Sequence, residues 1–120
     1  MLRTGQIKMC QDRGGWGDYA GGDAPGVAFD TVSWIQESEI AALASDTWGV
    51  EVRPNEFPWV NQPWHRVVLP QLGLLMGEMF NFEALAEDCA KDGRYEFFFM
   101  AEPLPVTGSV GGPVNPIAIK

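Results

Sequence analysis

The chain has one histidine, two cysteines, few serines and only eight basic residues against sixteen acidic ones. Each scarcity excludes something. A net charge of -8 leaves no basic footprint to displace counterions from a polyanion, so nucleic acid and anionic membrane surfaces are not expected partners. Cys10 and Cys89 are far apart and form no C-x-x-C pair, which argues against a zinc knuckle or a disulfide framework and for two ordinary thiols in a reducing compartment. No apolar run approaches bilayer-spanning length, and "MLRTGQIKMCQDRGG" has no sustained apolar stretch of the signal-peptide kind. A cytoplasmic location is the expectation. Also missing are a G-x-S-x-G elbow, a Walker loop, a G-x-G-x-x-G following a strand and an H-E-x-x-H pair. The glycine-rich "GGWGDYAGG" lacks a basic residue and a following helix, so it reads as a loop rather than a phosphate cradle.

What is present suits one domain: 120 residues, 46% hydrophobic and 20% charged. "MLRTGQ" reads as a short strand and "DRGGWGDYAGGDAPG" as a loop. Asp30 or Thr31 can cap a short helix over "TVSWIQESE", and "IAALASDTWGVEV" offers two small-residue strands. Pro63 predicts a helix start that runs through His65 to about Leu69, followed by a buried strand in "GLLMGEM". Asn81 is placed to cap "FEALAEDCAKDG", with Leu85 and Cys89 on one face and Gly93 as its stop. "YEFFFMA" predicts a strand covered on both faces, and "IAI" a last short strand. Alternating strands and helices predict an α/β fold with a mixed sheet and flanking helices.

His65 and Glu78 are the chemically interesting pair. Imidazole and carboxylate are usual ligands of zinc, manganese or iron, and a helix followed by a strand can return them to one place. The alternative is a hydrogen-bonded rim histidine and a solvated glutamate. Catalytic zinc sites generally use three protein ligands, often two or three of them histidine, so this chain would supply only part of such a site. Asp46 can hold a loop, as an Asx-turn does, or orient a ligand from behind.

"RTG" near the start, then "DTWGVEV", "PWHRVVLPQLGLLMGE", "FEALAEDCAKDGRYEFFF" and "PLPVTGSVGGPVNPIAIK" follow one another in an order that resembles the C-terminal part of the metal-dependent cyclase family, which includes kynurenine formamidase (arylformamidase) and isatin hydrolase. The resemblance implies a swivelling β/β/α-like fold, present as an incomplete domain, with residues 1–120 its C-terminal portion. It implies a hydrolase that cleaves C–N bonds in aryl formamides, lactams or related cyclic amides. It also implies a divalent metal, zinc or manganese, with His65 and Glu78 among the ligands, and a homo-oligomer. Trp48, Trp64 and Phe80 are then candidates to line or support an aromatic substrate pocket. The family's main metal motif, H-x-G-T-H-x-D, is not in this sequence. The competing expectation is therefore a non-catalytic remnant that associates with itself or with a partner.

Overall fold

A proline at the first helical position, a glycine after the last one and short apolar runs between turns dictate short elements, and short elements are what form. The computed structural model describes residues 1–120. In chain order they are α1 (Gln6–Arg13), α2 (Thr31–Glu37), β1 (Ala42–Ala44), α3 (Pro63–Val68), β2 (Leu75–Gly77), α4 (Glu83–Asp92), β3 (Phe98–Met100) and β4 (Ile117–Ile119). They divide into two compact units, Met1–Phe82 and Glu83–Lys120. No helix is long and apolar enough to cross a membrane.

In the first unit β1 and β2 pair in parallel, with Ala42 opposite Leu75 and Ala44 opposite Gly77. Leu2 bridges to Ser45 in parallel, and its N–H reaches the Ala44 carbonyl at 2.7 Å. The "MLRTGQ" strand is thus a single bridge, and the following residues wind into α1, which the sequence reading left unassigned. The parallel pairing needs a crossover, and α3 lies within it. Ile35, Leu43, Val50, Trp64, Val68 and Leu74 form the core, with Val50, Trp64 and Val68 fully buried. The indole N–H of Trp64 donates to Thr31 Oγ1 at 3.0 Å, joining α3 to the first residue of α2. That bond satisfies the polar edge of a buried aromatic ring.

In the second unit β3 and β4 pair antiparallel, Phe98 opposite Ile119, and the ladder extends to a bridge between Pro103 and Val114. Gly93 ends α4 in the left-handed region at φ 70°, its N–H bonded to the Cys89 carbonyl. Lys120 Nζ reaches Asp88 at 3.0 Å and Asp92 at 2.8 Å on α4.

Four expectations need correction. The strands make two separate two-stranded sheets, one parallel and one antiparallel, rather than one mixed sheet. β2 is not buried throughout, since Leu75 is 69% exposed. β3 is not covered on both faces: Phe98 is 63% exposed, because a two-stranded ribbon has no second layer to cover it. An apolar run signals a strand but not the number of neighbours it acquires. Finally, α4 begins at Glu83, one residue later than the sequence predicts.

Candidate functional site

His65 lies in the first turn of α3 and Glu78 directly after β2. The fold brings them together: His65 Nε2 is 3.6 Å from Glu78 Oε1. That separation allows an ion pair but is too long for a hydrogen bond. Nε2 is buried and has no hydrogen-bond partner. The other ring nitrogen is fully engaged. Nδ1 is 2.7 Å from Oε2 of Glu51, and the same oxygen accepts the His65 backbone N–H at 2.9 Å. Glu51, only 2% exposed, was not singled out from the sequence. Its signal was there in "GVEV", a carboxylate between two valines with no lysine or arginine beside it until Arg53.

The framework around these groups is tied down on each side. Ser45 N–H donates to the Gly77 carbonyl at 2.9 Å, and Met79 N–H to the Thr47 carbonyl at 3.0 Å, so Glu78 is held between two backbone bonds. It stands at the carboxyl ends of parallel strands, where open α/β sheets place their ligands. Asp46 anchors the same end: Oδ1 accepts from Thr4 N–H and Thr4 Oγ1, both at 2.7 Å, and Oδ2 from Gly5 N–H at 2.8 Å. Asp46 is therefore a long-range anchor for the start of α1 rather than an Asx-turn, and the "TG" of "RTG" supplies its donors. Its carbonyl accepts the Tyr19 hydroxyl at 2.7 Å. Burial first, then the charge of Asp46, pushes that phenol up to about 12.

Val50 (φ 53°), Gln62 (φ 52°) and Met79 (φ 61°) occupy the left-handed region, where non-glycine residues are uncommon and a β-branched one is an outlier. They lie next to Glu51, three residues before His65 and next to Glu78. The fourth such residue, Glu39, follows α2. Backbone of this kind persists only where its surroundings over-determine it, and it gathers at functional sites.

Met79 also lines a cleft of about 420 Å³ with Ile7, Cys10, Trp16 and Asn81. Its walls are mainly apolar. Trp48, Trp64 and Phe80 do not line it. Trp64 is fully buried core, Phe80 is buried beside Phe82, and the Trp48 ring lies under the Arg53 guanidinium at 4.8 Å.

Among solved structures the chain is similar to a crystal structure described as a novel cyclase, at 40% identity and a TM-score of 0.84. The match covers 99% of this chain and 39% of that one. The chain is a partial cyclase-family domain. No family model matches it, and a search of curated proteins found no match. The cyclase-family chain thus spans well under half the length of this relative. Within it, no cluster of three or more His, Cys, Asp or Glu side chains is positioned to hold a metal ion.

The environment of His65 in this cyclase-family unit has a pH signature. Burial alone would lower the imidazole pKa, but Glu78 and Glu51 oppose it by contact and charge, and the net direction is upward from 6.5. A pKa raised on folding stabilises the fold fully below the unfolded value, and the contribution is lost as pH rises through the folded value. The stability advantage of wild type over His65→Gln is therefore expected to be greatest below about pH 6.5 and to shrink on the alkaline side. Thermal melts of both proteins across that range check this, and an advantage that grows with pH would contradict it.

Proposed function

We propose that this chain forms part of a metal-dependent hydrolase that cleaves C–N bonds in aryl formamides, lactams or related cyclic amides. His65 Nε2 and a Glu78 oxygen would be two of the ligands of a zinc or manganese ion. The observation that carries this reading is the buried Nε2, without a hydrogen-bond partner and 3.6 Å from a carboxylate oxygen. A buried polar nitrogen left unsatisfied is costly, and coordination is one way to satisfy it. The donor pair fits in kind but not in number. A catalytic site generally takes three protein ligands, and the rest would come from the part of a cyclase domain that this chain does not span. When bound, such an ion lowers the pKa of water and polarises the scissile carbonyl.

The chain's own residues would position the histidine and shape a neighbouring cleft. Glu51 holds the imidazole through Nδ1, and Glu78 faces the other ring nitrogen at 3.6 Å. The apolar cleft with Trp16 and Met79 suits the aryl or ring portion of the substrate.

Calorimetric titration with Mn²⁺ alone tests the ligand assignment. Manganese avoids the softer thiols of Cys10 and Cys89, both of which are free. One weak site is expected, reduced at least tenfold in His65→Ala and in Glu78→Ala. Affinity unchanged in both variants would sink the reading.

The competing reading is a non-catalytic remnant that self-associates or binds a partner. It draws on the second unit, where Phe98, Ile117 and Ile119 are 63%, 47% and 51% exposed. Exposed apolar ribbons of this sort favour association. Sedimentation that shows concentration-dependent assembly, with no manganese binding, would favour it.

A further inference from the structure

We propose that Glu51 is the positioning residue of this site: its carboxylate fixes His65 in the Nδ1–H tautomer and keeps the Nε2 lone pair turned towards Glu78. The inference deepens the reading of His65 as a ligand, but its first measurement does not depend on that reading.

Donors and acceptors decide the tautomer. A neutral imidazole has one N–H and one lone pair, and a carboxylate can only accept. Nδ1 lies 2.7 Å from Glu51 Oε2, so Nδ1 carries the proton and Nε2 the lone pair. Free histidine in water prefers the opposite form, so the protein must impose this one. Glu51 is well placed to do so. Its Oε2 takes the backbone N–H of His65 as well as the ring N–H, which fixes both the position of the residue and the rotation of its ring. Gln62, at the N-cap of α3, makes no side-chain capping bond, so this carboxylate serves the exposed first-turn N–H instead.

The Glu51 backbone is equally constrained. Val27 pairs with it in a parallel bridge, with Val27 N–H on the Val50 carbonyl and Val52 N–H on the Val27 carbonyl. The fully buried Val50 just before it holds a left-handed conformation at φ 53°. A carboxylate that orients a ligating histidine through its far nitrogen is a recurrent arrangement, and it raises the basicity of the near one.

The single histidine makes the test unambiguous, because ¹⁵N-histidine labelling yields one imidazole. Long-range proton–nitrogen correlation is recorded on the metal-free chain, at a pH high enough to keep the ring neutral. In wild type Nδ1 is expected to be the protonated nitrogen and Nε2 the bare one. In Glu51→Ala the two shifts should interchange as the ring relaxes to the Nε2–H form. A protonated Nε2 in wild type overturns the proposal, and this holds even if the variant fails to fold. An unchanged Nδ1–H form in a folded Glu51→Ala also overturns it. Zn²⁺ is then added to wild type. A displaced Nε2 resonance supports His65 as a ligand. An undisturbed one, with the Nδ1–H form intact, removes the metal reading and leaves the role of Glu51 standing.

Discussion

Gly26→Ala is expected to cost the first unit about 3 kcal/mol or more and to pull Glu51 away from His65. The obstacle is space. A β-carbon on Gly26 would lie 2.3 Å from the Val50 carbonyl oxygen and 2.4 Å from the Glu51 carbonyl carbon. Both are backbone atoms, so no side chain can swing aside. The two segments would have to separate, and the bonds between Val27 and residues 50 and 52 would open. Because Val50 is fully buried and already in an unfavourable conformation, the strand has little freedom to retreat. Urea unfolding followed by circular dichroism reads the stability loss. The NMR experiment on His65 reads the second effect, as loss of the Nδ1–H form. A variant that unfolds at the wild-type midpoint would mean that the contact between these segments is not as drawn.

Trp64→Ala should be comparably severe, at about 3–5 kcal/mol. Domains of this size have about 5–15 kcal/mol in all, so the variant is expected to lose a large share of its stability. Two losses combine. Removing a fully buried indole from among Ile35, Leu43, Val50, Val68 and Leu74 leaves a cavity that short, tied-down elements cannot close. The bond to Thr31 Oγ1 goes as well, and with it the hydrogen bond between α2 and α3. Trp64→Phe separates the two terms: it keeps most of the ring volume, loses the N–H, and should cost less than half as much. If alanine and phenylalanine variants unfold together, the hydrogen bond rather than the packing dominates.

How much of this could be read from the sequence depends on the range of the interactions. α3 and α4 were legible because their signals are local, namely Pro63 at one start and Gly93 at one stop. His65 and Glu78 were legible as a pair by residue type and by the segment between them. α1 was not, because Gly5 precedes it with no side-chain cap of its own, and the carboxylate that serves it, Asp46, is 41 residues away. Glu51 was missed for a similar reason. Its partner is fourteen positions on, and nothing in "GVEV" says which nitrogen it will meet. The exposed faces of β2 and β3 were misjudged because composition reports how apolar a strand is, not how many neighbours it acquires.

The same long reach bears on how the molecule folds. Thr4 meets Asp46 across 42 residues, Ala42 meets Leu75, and Glu51 meets His65. Each contact closes a loop whose entropy must be lost before the contact stabilises anything. Chains dominated by such contacts fold slowly, and their α-helices on their own are too short to lead. The second unit differs, since its α4 is tied to Lys120 but its Gly93 stop and its ladder between residues 103 and 114 are local. The imidazole and its two carboxylates should therefore come together late, in the same cooperative step that closes the crossover between β1 and β2, so a refolding chain would acquire its site only on becoming native.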